Sequence, residues 1–126
     1  MEIIEREKGI FVKKTEGTDV VYYIFPEYEL HYNEVAPGTV QKWHHHNVIE
    51  EVLYIISGEL EAHWVENGNK VTCSLKSGDI ARVENTPHTF INSSQFQVKF
   101  LVVRLILDGK DKHEIIKNDK YLDNLQ

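Results

Sequence analysis

The feature that most constrains this chain is how often its apolar runs are interrupted. Val20 to Phe25, Tyr28 to Val35, Val52 to Ile56, Leu60 to Val65, Val71 to Leu75 and Phe96 to Leu107 are rich in β-branched and aromatic residues. Turn signals cut them apart: Phe25-Pro26, Ala36-Pro37-Gly38, Ser57-Gly58, Asn67-Gly68 and Ser77-Gly78-Asp79. Many short strands with turns at short spacing predict an all-β sandwich or closed barrel rather than a parallel α/β sheet. Asn67-Gly68 is the strongest hairpin signal, because both central residues of a type I′ turn need positive φ.

Within that framework one segment carries chemistry. Gly38 to Gly58 reads Gly-x5-His44-x-His46-x4-Glu51-x6-Gly. In extended backbone, residues i and i+2 share a face, so His44 and His46 converge while His45 points away. Glu51 opens the run Val52 to Ile56, where a second strand starts. His88 follows Gly78-Asp79 at a distance and is itself followed by Asn92. Three neutral imidazole nitrogens and a carboxylate make a mixed donor set suited to a first-row divalent metal. Glu50 competes with Glu51 for the carboxylate role. Only Glu51 leaves six residues before Gly58, and adjacent residues on a strand face opposite ways, so Glu50 is read as outward and solvated. His31, His63 and His113 lack partners at ligand spacing and are read as surface or structural histidines.

These residues resemble the motifs of the cupin superfamily. The first cupin motif, Gly-x5-His-x-His-x3 or x4-Glu-x6-Gly, is met at every position. The second, Gly-x5-Pro-x-Gly-x2-His-x3-Asn, is met at Gly78, His88 and Asn92. Its Gly78-to-His88 segment is one residue short and lacks the central Pro and Gly. Asn85 falls where that glycine belongs, and Asn tolerates the left-handed backbone a turn needs. The resemblance implies a double-sheet jelly roll, also called a double-stranded β-helix. It implies one divalent transition metal ion (Fe, Mn, Ni, Zn or Cu) on His44, His46, Glu51 and His88. The chemistry it implies spans dioxygenases, decarboxylases, sugar isomerases, epimerases and non-enzymatic sensing domains. From this we expect a metal-dependent enzyme, oxygenase or isomerase, acting on a small hydroxy or oxo compound. The alternative is a non-catalytic small-ligand-binding or sensory cupin domain.

Size and charge agree. A chain of 126 residues suits a single domain over 1–126, with a barrel core at about 18–108. Fourteen basic against 20 acidic residues give a net charge of −6, so neither nucleic acid nor an anionic membrane is an expected partner. No run approaches the ~18 apolar residues of a membrane span, and charges crowd Met1 to Lys8 where a secretory signal would be apolar. A soluble, cytoplasmic protein binding a small molecule is the expectation. Cys73 is the one cysteine, which excludes an internal disulfide and zinc-thiolate architectures.

The last long run has two apolar faces, Phe96, Val98, Phe100 and Val102 on one and Leu101, Val103, Leu105 and Leu107 on the other. Both are expected to be buried, the second against a helix, a sheet or a partner chain, which favours a homodimer. Arg104 interrupts the first face. An inward arginine there would receive a substrate carboxylate or phosphate, whereas an interface or strand-end salt bridge is the more common arrangement. After Gly109 the pattern turns helical. Asp111-Lys112-His113-Glu114 resembles a capping box, and an imperfect apolar stripe predicts a helical segment at about 111–125 packed on the outside of the barrel.

Overall fold

The computed structural model describes residues 1–125. Nine strands form two antiparallel sheets: β1 (Ile10–Lys13), β2 (Thr18–Ile24), β3 (Tyr28–Val35), β4 (Ile49–Ser57), β5 (Glu59–Glu66), β6 (Asn69–Lys76), β7 (Ile80–Arg82), β8 (His88–Ile91) and β9 (Val98–Ile106). The larger sheet runs β1-β2-β3-β9-β4-β7 and the smaller β6-β5-β8. This is the all-β jelly-roll arrangement expected. Strands β1, β7 and β8 were not legible, being three or four residues long and without alternation.

Alternation along each strand builds the core. Val35 on β3, Leu53 and Ile55 on β4, and Val98, Phe100 and Val102 on β9 turn inward from the larger sheet. Leu60 and Ala62 on β5, Leu75 on β6 and Phe90 on β8 meet them from the smaller one. Asn67 and Gly68 take φ of 50° and 78°, and Glu66 pairs with Asn69 across them, as a type I′ turn requires. Gly58 has φ of 87°, and a Cβ there would lie 2.9 Å from the Gln97 carbonyl. The last glycine of the first motif is thus needed for both turn conformation and close approach to the start of β9. Asn92 is a structural residue. Fully buried, its amide donates to the carbonyls of Val35 and Phe96 and its carbonyl accepts from Ser94, fastening the turn after β8.

Six expectations are corrected. On β9 only the inward face is buried; Leu101, Val103 and Leu105 are half-buried, and Phe96 and Leu107 lie outside the strand, 75 % and 53 % exposed. Among the described residues of the tail none is buried: the helix α1 spans only His113–Asn118 and packs no residue against the outer face. Its capping box does not form: Asp111 accepts from the His113 N–H, Lys112 occupies the N-cap, and the Glu114 carboxylate accepts from Asn118 at 3.4 Å instead of reaching back. Ile115 and Ile116 are adjacent, so they cannot make an i, i+3 stripe, and Tyr121, Leu122 and Leu125 lie beyond the helix, exposed. The left-handed residue before His88 is Glu84, at φ 57°, rather than Asn85. The shortened loop makes its turn one residue earlier. Finally, Glu50 faces outward but is not solvated. It is 8 % exposed and accepts from Arg82 Nε on β7 at 2.6 Å.

Candidate metal centre

His44 and His46 sit before β4 in a segment that is not a continuous strand, a departure from the expected extended strand. The segment touches β8 at two isolated bridges, Val40 to Ile91 and His44 to His88. At the second, the backbone N–H of each histidine donates to the carbonyl of the other, at 3.0 and 2.9 Å. That pair of hydrogen bonds brings residues 44 places apart in sequence side by side, which no local rule could supply. His44 and His88 ring centroids are 4.3 Å apart, and His46 completes the triangle at 5.2 and 5.7 Å. One ring nitrogen from each of the three lies within 4.8 Å of the others. Donors at ~2.1 Å from one ion are at most ~4.2 Å apart, so the imidazoles are gathered almost to coordinating distance. His45 is exposed, as the spacing predicts.

The tautomers follow from backbone acceptors. Nδ1 of His44 is 2.8 Å from the Lys42 carbonyl and Nδ1 of His88 is 2.7 Å from that of Thr86. A carbonyl only accepts, so each Nδ1 carries the proton and each Nε2 keeps a free lone pair. Nε2 of His88, Nε2 of His46 and Oε2 of Glu51 are buried without an aligned hydrogen bond. Glu51, the third residue of β4, holds Oε2 2.7 Å from His46 Nε2. Buried polar atoms without an aligned partner are costly, and the three clustered histidines are a donor set that could hold a divalent transition metal, with Glu51 lying against His46 outside that cluster. The residues therefore fit such an ion. Burial pushes the pKa of His46 and of His88 below the ordinary 6.5, opposed for both by the Glu51 carboxylate and reinforced by neighbouring imidazoles. Both are neutral donors at neutral pH.

Arg104 points inward. On β9 it stands opposite Glu51 of β4 and Glu29 of β3. Its Nη2 is 3.4 Å from Glu51 Oε1, while its Nε is buried with no partner. Its ion pair is thus internal to the chain. A cavity of about 690 Å³ opens over Arg104, Glu51, His44 and His46. Tyr22, His31 and Asn33 also line it, and no sequence motif singled them out. His31 is 5 % exposed, donates its Nε2–H to the Glu29 carboxylate at 2.9 Å and packs edge-on against Tyr22. It is a wall of the cavity, not a surface histidine. The signal was available in period two, since His31, Asn33 and Val35 share the inward face of β3. Tyr32 and Tyr54 face out, and His63 pairs with Glu61. Among the described residues, no helix is long and apolar enough to cross a membrane.

The cupin-domain family model matches residues 31–104. The chain is a cupin. Its matched stretch contains His44, His46, Glu51, His88 and Arg104 together. Among solved structures, this cupin is similar to a predicted oxalate decarboxylase of Thermotoga maritima, with 18 % identity over 84 % of this chain and 100 % of that one, TM-score 0.70. A variant oxalate decarboxylase of Bacillus subtilis matches at 17 % identity over 82 % of this chain and 29 % of that chain, TM-score 0.71. The cupin domain of Drosophila melanogaster CENP-C matches at 20 % over 77 % and 75 %, TM-score 0.68. At these identities the likeness is one of fold. No curated protein sequence matches.

Proposed function

We propose that this cupin binds one divalent transition metal ion through His44, His46, Glu51 and His88, and that it is a metal-dependent enzyme acting on a small hydroxy or oxo compound. The observation that carries the reading is the gathering of His44, His46 and His88, one ring nitrogen of each within 4.8 Å of the others, with the Glu51 carboxylate against His46. When bound, such an ion supplies Lewis acidity toward a carbonyl or hydroxyl oxygen, and oxygen chemistry if it is redox-active. The chain's own residues do the rest. Lys42 and Thr86 carbonyls hold two imidazoles in the donating tautomer. Arg104 holds one oxygen of Glu51 and leaves the other facing His46. Leu53, Phe100 and Val102 give the cavity a dry floor.

Elemental analysis of untagged protein tests the metal. About one ion per chain is expected, falling far below that in His46→Ala and unchanged in His45→Ala. Equal loss from both variants, or no metal under any loading, overturns the reading. Turnover of candidate diols and keto acids, with and without oxygen, tests catalysis. The CENP-C cupin domain has also been solved bound to CAL1, so the fold serves in a protein complex as well. Ligand binding with no turnover across those compounds would assign the non-catalytic reading.

A further inference from the structure

The wall of the larger cavity runs against the charge of the whole chain. The chain carries −6, yet Lys13, Lys14, Lys42 and Arg104 line this cavity against Glu16 and Glu51. Lys13 is 3.9 Å from Asp19. Lys14 and Lys42 are exposed and have no ion pair among the described residues. A cavity rimmed by unpaired cations concentrates anions and draws them in.

Deeper in, Arg104 has donors to spare. A guanidinium carries five N–H groups in a fixed plane. Here one reaches Glu51 Oε1 at 3.4 Å, a long contact, and the Nε–H is buried with no acceptor. Glu29, its register neighbour on β3, is engaged with His31. An unmet donor on a partly buried cation is destabilising until an acceptor arrives. A planar carboxylate suits it, taking Nε–H and one Nη–H side by side. Arg104 and His46 flank the same Glu51 carboxylate, Oε1 toward the arginine and Oε2 toward His46, and His46 is one of the three clustered histidines. A molecule seated on Arg104 by its carboxylate therefore presents its next oxygen to the histidines.

We infer that the ligand of this cavity is a small 2-hydroxy- or 2-oxo-carboxylate, with its carboxylate on Arg104. Attachment of its second oxygen rests on the metal reading above; attachment to Arg104 does not. A neutral sugar or phenol oxygen could accept from the Nε–H, but it brings neither the negative charge nor the two coplanar oxygens that match the guanidinium fork. Lactate is the minimal probe, propane-1,2-diol its uncharged counterpart and inorganic phosphate the competing anion. Calorimetric titration of the full-length protein, metal-loaded and metal-free, is expected to show lactate binding at least about tenfold tighter than the diol. Arg104→Gln should remove that preference, and Arg104→Lys, which keeps charge but not the fork, should restore part of it. Lys14→Gln with Lys42→Gln, both at exposed positions, should weaken lactate a few-fold, an effect that fades at high salt. This pair scores the inference even if Arg104→Gln does not fold. Equal affinity for lactate and diol, no lactate binding, or no effect of either the arginine or the lysine changes overturns it. Phosphate binding tighter than lactate overturns the carboxylate assignment in favour of a phosphate ligand. If the protein takes up no metal yet metal-free protein binds lactate through Arg104, the metal reading fails and the anion assignment stands.

Discussion

Glu50 and Glu51 are neighbours in sequence and near equals in burial, at 8 % and 5 % exposed, yet they serve opposite faces of β4. Glu51 looks into the cavity toward His46 and Arg104; Glu50 looks out toward Arg82. Changing each to Gln therefore separates site from scaffold. Glu51→Gln removes the anionic donor and should lower metal affinity at least about tenfold, measured by competition with a chelator. Glu50→Gln should leave metal content unchanged and cost about 1 kcal/mol of stability, since Arg82 is itself largely exposed. Metal loss from Glu50→Gln instead would mean that β4 is out of register by one residue.

At the scale of elements, the turn joining β4 to β5 is where a single methyl group matters most. Gly58 combines a φ of 87° with backbone of Gln97 2.9 Å from a Cβ position, and β4 carries a register shift just before it, between Ile55 and Ser57. Gly58→Ala meets left-handed strain and a clash with backbone that cannot rotate away. A loss of about 2–3 kcal/mol is expected in denaturant unfolding, with a shifted midpoint and unchanged slope. Gly68→Ala has open space around its Cβ, so it meets the strain alone and should cost about 1 kcal/mol. Equal losses would show that the contact with Gln97 is not what constrains Gly58.

For the whole molecule, acid and self-association are the informative variables. Burial sets the pKa of His31, His46 and His88 below the ordinary 6.5 in the folded protein. The unfolded chain thus takes up these protons first as pH falls, so the three histidines favour the folded state above pH 6.5. That contribution is lost as pH falls through their folded values. The melting temperature of metal-free protein should drop between pH ~7.5 and ~5, and less so in His31→Gln; a flat profile would contradict the buried neutral imidazoles. Bound metal should leave over the same interval, because protons compete for the same lone pairs. The outer face of the larger sheet sets Leu101 between Tyr32 and Tyr54, and Val103 between Leu30 and Val52. None of the described tail residues is buried on it. We expect a homodimer through this face. Light scattering should give a dimer both for the full chain and after removal of residues 111–126, whereas a full-length monomer refutes the interface.

The sequence by itself determined what depends on neighbours along the chain. Runs of β-branched and aromatic residues bounded by turn signals located β2 to β6 and β9, Asn67-Gly68 declared its hairpin, and the spacing of His44, His46 and Glu51 between two glycines marked the candidate donors. These are properties of backbone torsion and of which way successive side chains point. Tertiary structure decided what depends on whatever lies opposite. His88 meets His44 only because β8 pairs with a loop far upstream, and Glu50 is buried only because Arg82 arrives from β7. Arg104 becomes a cavity arginine because β9 lies between β3 and β4. The apolar residues of the tail form no helical stripe, and none of those described is buried. Burial and pairing are set by contacts distant in sequence, and a local pattern carries no record of them.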